Sequence, residues 1–135
     1  MKVEELNSYW TSIYYHLHYT HQEKITHQTI RLLQHIDKSS SVGIKEIADY
    51  LHVSHNTASE HVKRNIDKGY VYKNRDIHDE RKVILHLTEA GKDLLKRNSS
   101  LDEEKVSAIL REMTASEKQL IQQAFQLLSE RAKHV

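Results

Sequence analysis

The stretch 52-HVSHNTASEHVKRN-65 decides the fold of this chain. Ala58, Val62 and, just beyond it, Ile66 recur at helical spacing and mark one buried stripe. Ser54 is a good N-cap, and Val53 is placed to staple against Ala58. Gly69 follows, a residue suited to the left-handed position that ends a helix. Off the stripe lie His55, Asn56, Ser59, Glu60, Lys63 and Arg64, mostly short hydrogen-bonding side chains and cations. A solvated helix face carries such residues. So does a helix that buries one side and reads DNA with the other.

The neighbours of the stretch separate these readings. Upstream, Ile44, Ile47, Ala48 and Leu51 fall at i, i+3, i+4 and i+7, a short amphipathic helix. The break His52-Val53-Ser54 leads into the next one. Downstream, 70-YVYKNR-75 and 82-KVILHL-87 read as strands, the second alternating Val83, Leu85 and Leu87 inward. The polar linker 76-DIHDE-80 makes them a hairpin with a solvated tip, and Thr88 caps a helix carrying Leu94 and Leu95. Helix, tight turn, helix, hairpin is the order of a winged helix-turn-helix. On such a scaffold Asn suits adenine, Ser and Thr are versatile, and Lys or Arg suit guanine or phosphate. Arg75, Arg81 and Lys82 near the tip are placed to follow the backbone into a minor groove.

Further out, Val3, Leu6, Trp10, Ile13 and Leu17 form the stripe of a first helix. Thr26 caps a second, with Ile30, Leu33 and Ile36 turned inward, and 37-DKSSSVG-43 is a loop. Ser100 with Glu103 and Thr114 with Glu117 are S/T-x-x-E boxes; the first marks a break in a long helix rather than a new element. The last helix carries Leu120, Ala124, Leu127, Leu128 and Arg131, with Ile121, Phe125 and Ala132 widening its apolar face.

Composition sets the class. The chain has 135 residues, 38% hydrophobic and 29% charged, which reads as soluble and globular. No apolar run approaches the roughly 18 residues of a membrane span, so a cytoplasmic protein without membrane partners is expected. The absence of cysteine excludes disulfides and thiolate metal sites. Net charge is only +1, yet residues 61–82 hold seven Lys/Arg against four acids. Three isolated glycines leave no phosphate-cradling loop, and neither G-x-S-x-G nor H-E-x-x-H occurs. An enzyme is not expected.

Residues 44–95 resemble the DNA-binding core of the MarR family (multiple antibiotic resistance regulators). The matching elements are V-S-x-x-T at Val53, Ser54 and Thr57, K-G-Y-V at 68–71, D-x-R at Asp79 and Arg81, and L-T-x-x-G at Leu87, Thr88 and Gly91. The resemblance implies a mainly α fold with a small two- or three-stranded β-wing. It implies one MarR-like domain over 1–135, with a winged helix-turn-helix DNA-binding core at 26–97 and dimerisation helices at 1–25 and 98–135. The function implied is a homodimeric transcriptional regulator, usually a repressor, released from palindromic double-stranded operator DNA by a small-molecule effector. The recognition helix would contribute Ser54, His55, Asn56, Thr57, Ser59, Lys63 and Arg64. The wing would contribute Lys73, Arg75, Asp79, Arg81 and Lys82, with Arg81 entering the minor groove and Asp79 holding the wing's shape through an ion pair. Leu6, Trp10, Ile13, Leu17, Leu120, Ala124, Leu127 and Leu128 would form the dimer interface, and half-sites would lie roughly 10 base pairs apart. Four positions depart from the pattern. Glu80 stands where a second wing arginine is frequent, Glu60 where a basic residue is common, and His61 and Asn65 where apolar residues are frequent.

The segment 14-YYHLHYTHQEKITH-27 holds His16, His18, His21 and His27. His18 and His21 share a helical face and, with Glu23, are candidates for a zinc site and a metal-responsive regulator. The alternative is scattered surface or capping histidines, with no metal and no cofactor. Tyr14, Tyr15 and His18 are candidates for an effector pocket accepting phenolic compounds; interface packing is the alternative. A winged-helix module for protein–protein contact, without its own operator, is the competing function. The local basic excess disfavours it.

Overall fold

The computed structural model describes residues 1–20 and 23–135. Its elements run α1 (Val3–Leu17), α2 (His27–Lys38), α3 (Ile44–Leu51), α4 (His55–Asp67), β1 (Val71–Arg75), β2 (Val83–Leu87), α5 (Glu89–Ser99), α6 (Glu103–Glu112) and α7 (Ala115–Ala132). They divide into two compact units, His18–Ser100 and Met1–Leu17 with Leu101–Val135.

Local cap chemistry starts the helices of the first unit. The Thr26 hydroxyl accepts from the Thr29 N–H at 3.2 Å, Ser54 from Thr57 at 3.1 Å, and Thr88 from Gly91 at 3.0 Å. Between α3 and α4 the chain turns through His52 in the left-handed region (φ 56°), and the Val53 N–H closes the turn on the Ala48 carbonyl. Gly69 ends α4 in the same way, at φ 83°. The core joins Leu32, Leu33 and Ile36 of α2 to Ile47 and Leu51 of α3, Ala58 and Val62 of α4, and Leu94 and Leu95 of α5. Val71, Leu85 and Leu87 add the inner face of the hairpin, and Val42 fills the loop behind it.

The hairpin is antiparallel, with Val71 opposite Leu87 and Arg75 opposite Val83. A third strand is replaced by a single bond, Leu85 N–H to the Val42 carbonyl at 2.8 Å. Gly91 shows why the L-T-x-x-G pattern needs its glycine. A Cβ there would lie 2.1 Å from the Tyr70 carbonyl oxygen, which also accepts from the Thr88 N–H at 3.0 Å. The Thr88 hydroxyl donates to the Gly69 carbonyl at 2.5 Å. The first turn of α5 is thereby docked on the turn that ends α4.

Three local expectations are corrected. The third buried residue of α4 is Asn65, while Ile66 is only half-buried. The burial of Asn65 is only half compensated: its Nδ2 donates to the His61 carbonyl one turn back, at 2.8 Å, while its Oδ1 is buried without a partner among the described residues. Val83 does not turn into the core but stays exposed at the strand's open end. Ser100 caps no helix start: its N–H donates to Lys96 at the end of α5, and Asp102 caps α6 by accepting from the Glu104 N–H at 3.0 Å. The Thr114–Glu117 box forms as expected, both bonds at 3.1 Å.

The second unit is built differently. None of α1, α6 and α7 contains a buried residue. The Asp102 N–H donates to the Leu17 carbonyl at 2.7 Å, tying the start of α6 to the end of α1. Leu6, Trp10 and Ile13 of α1 face Ala124, Phe125 and Leu128 of α7 across an apolar groove of about 660 Å³. Trp10, Leu120, Phe125, Leu127 and Leu128 are all exposed. Among the described residues, no helix is long and apolar enough to cross a membrane.

Candidate nucleic-acid interface

In the unit His18–Ser100, a groove of about 760 Å³ lies between α4 and the hairpin. Its floor is Val62 and Leu85, which belong to the core. Its walls carry cations from three elements: Lys45 from α3, Lys63 from α4, and Lys73, Arg81 and Lys82 from the hairpin. Glu46 and Asp67 are the acids among the lining residues, and the Glu46 carboxylate already accepts from the Gly43 N–H at 3.0 Å. A concave, cation-lined surface over an apolar floor is shaped to take a phosphate backbone.

The predicted recognition residues divide by role. Ser54 and Thr57 build the end of α4: Ser54 Oγ accepts from the Thr57 N–H and donates to Thr57 Oγ1 at 2.9 Å. His55, Asn56, Glu60, Lys63 and Arg64 are exposed, and Ser59 is half-buried in the groove wall. Glu60 thus lies on the outer face of the helix.

The wing loop is shaped by its own hydrogen bonds. Asp79 Oδ1 accepts from the Arg81 N–H at 3.1 Å and from Arg81 Nε at 3.3 Å. The Asp79 carbonyl accepts from the Lys82 N–H, and the Lys82 carbonyl from the Asp76 N–H, both at 2.9 Å. Arg75 Nη1 donates to the Glu80 carbonyl at 2.7 Å, so this arginine braces the loop rather than projecting from it. The Arg81 side chain is 93% exposed. So exposed an ion pair contributes little energy. What Asp79 fixes is the backbone that presents Arg81.

Lys45 escaped the sequence reading. A lysine in the first turn of a helix looks like any solvated lysine, and only the tertiary turn from α3 to α4 brings it to the groove. His21 lies outside the described residues, and the Glu23 carboxylate is engaged by Arg97, with Nε at 3.1 Å and Nη2 at 2.6 Å. The Arg97 hydrogen bonds hold the Glu23 carboxyl below the usual carboxylate range and raise the guanidinium in turn. Among the described residues, no three His, Asp or Glu side chains form a group able to hold a metal. Tyr14 is half-buried and Tyr15 exposed on α1, and neither they nor His18 line the two large grooves.

With this geometry in place, a family model described as transcriptional regulator SarA/Rot matches residues 16–98, more than half the chain. The chain belongs to the SarA/Rot family of transcriptional regulators. No curated protein matches it in sequence. Among solved structures, a MarR-like regulator from Thermotoga maritima has a TM-score of 0.68 at 18% identity, covering 98% of each chain. S. aureus MepR bound to ethidium bromide scores 0.62 at 18% identity, covering 96% of each. Streptococcus pneumoniae FabT in complex with DNA scores 0.58 at 23% identity, covering 98% of this chain and 99% of that one. These likenesses establish the winged-helix fold of the MarR type. The SarA/Rot chain is therefore a DNA-binding transcription regulator and not an enzyme.

Proposed function

We propose that this regulator acts as a cytoplasmic homodimeric repressor on palindromic operator DNA, and that a small-molecule effector releases it. The observation that carries the reading is the groove between α4 and the wing, where Lys45, Lys63, Lys73, Arg81 and Lys82 converge beside the exposed head of α4. In this reading His55, Asn56, Ser59, Lys63 and Arg64 meet the major groove and its phosphates, and Arg81 enters the adjacent minor groove. Ser54, Thr57, Arg75 and Asp79 shape the two elements that deliver them. FabT solved with DNA and MepR solved with ethidium support duplex DNA and a small aromatic molecule as the two partner classes.

The exposed apolar faces of α1 and α7 support the homodimer, because a monomer would leave a contiguous hydrophobic surface in water. Leu6, Trp10, Ile13, Leu17, Leu120, Ala124, Leu127 and Leu128 would be covered by the second copy. Phenolic compounds are the first effector class to try, and no cofactor is assigned.

Selection of bound duplexes from a random library tests the proposal. The expected product is an inverted repeat with half-sites roughly 10 base pairs apart, lost when salicylate is present. Enrichment of no sequence would refute an operator-specific repressor. Loss of binding with zinc in place of the phenol would shift the effector to a metal.

A further inference from the structure

Arg64 Nη2 lies 2.6 Å from Nδ1 of His61, one turn earlier on α4. A guanidinium has five N–H donors, no acceptor, and a permanent charge. The contact is attractive only if Nδ1 carries a lone pair, which places the ring proton on Nε2. Position 61 is also held through its backbone, since its carbonyl accepts from Asn65, a side chain only 4% exposed. Helical side chains lean toward the N-terminus. Reaching back to His61 therefore carries the Arg64 cation toward the end of α4 that bears His55 and Asn56. The bond uses one donor and leaves Arg64 exposed.

We propose that His61 is a positioning residue for DNA binding: its neutral imidazole accepts from Arg64 and holds that cation in the pose that meets a phosphate oxygen. The inference rests on the reading that α4 enters the major groove. A free arginine loses rotamer freedom when it docks; one already held does not. The difference corresponds to about 3- to 10-fold in affinity for each side chain so ordered.

The test uses the full chain and a fluorescent duplex recovered from the library selection, with anisotropy titrations of wild type, His61→Asn, His61→Leu, Arg64→Ala and the double variant His61→Leu/Arg64→Ala. Asn places an acceptor near the position of Nδ1, while Leu keeps bulk and removes the acceptor. We expect His61→Leu to weaken binding about 3- to 10-fold and His61→Asn to restore near-wild-type affinity. The double variant should bind no more weakly than Arg64→Ala alone. Nitrogen-15 spectra should show His61 Nδ1 unprotonated at neutral pH, a signature that mere packing would not require, and circular dichroism checks that each variant folds. Wild-type affinity in His61→Leu, losses that multiply in the double variant, or a proton on Nδ1 overturns the inference. So does an Arg64→Ala variant that binds normally, with DNA binding itself left standing. If the wild-type chain binds no duplex, the underlying reading falls as well.

Discussion

Two residues carry fold and stability in ways that single substitutions expose. Gly91 faces the Tyr70 carbonyl so closely that any side chain must displace backbone, the least compliant neighbour. Gly91→Ala should destabilise the chain by about 3 kcal/mol, read as a lower urea midpoint with unchanged slope. An unchanged midpoint would show that α5 does not dock there. Glu23 gives the matching electrostatic case. Its carboxyl is held low by Arg97, so the pair stabilises the folded state above the ordinary carboxylate value and is lost as pH falls through the lowered one. The window lies below about pH 4.3. Wild type should lose more stability than Glu23→Gln between pH 5 and pH 3; equal losses would remove the pair from the account. The sequence exposed one of these residues and hid the other. The glycine belongs to a local pattern, whereas the partner of Glu23 lies 74 positions away.

Among the elements, those governed by short-range chemistry were legible. Thr26, Ser54, Thr88 and Thr114 each cap the helix that their sequence context predicts, because the donor and acceptor sit within three residues. Where two caps compete, the local pattern does not decide between them: Ser100 finishes α5, and Asp102 starts α6. At Asn65 a periodicity argument assigns the inner stripe to apolar residues and cannot foresee a local bond that engages the Nδ2 of a buried amide while its Oδ1 stays unpartnered. The wing shows the same division. Its strands followed from alternation, but the loop that presents Arg81 is set by Asp79 and by Arg75 on the Glu80 carbonyl. Arg81→Ala should weaken duplex binding about 10-fold while leaving the fold and the proposed dimer unchanged. Unchanged affinity would take the wing out of the interface. The basic groove was half legible: its hairpin and α4 cations stand together in sequence, while Lys45 arrives through the turn from α3.

The whole molecule depends on two surfaces that differ in chemistry. No residue of α1 or α7 is fully buried within the chain, so stability and self-association should be linked. Phe125→Glu combined with Leu128→Glu should halve the particle mass from twice the 15.9 kDa chain mass and weaken duplex binding. A double variant that keeps the wild-type mass would place the dimer contact elsewhere. The basic groove is the other surface, and its physics is counterion release. Titrating the selected duplex at salt concentrations from 50 to 200 mM tests it. If the proposed dimer engages at least six phosphates, affinity should fall about 10³-fold across that range, linearly in the logarithms. A protein that binds no duplex at 50 mM, or binds with an affinity indifferent to salt, contradicts the claim that this groove holds DNA.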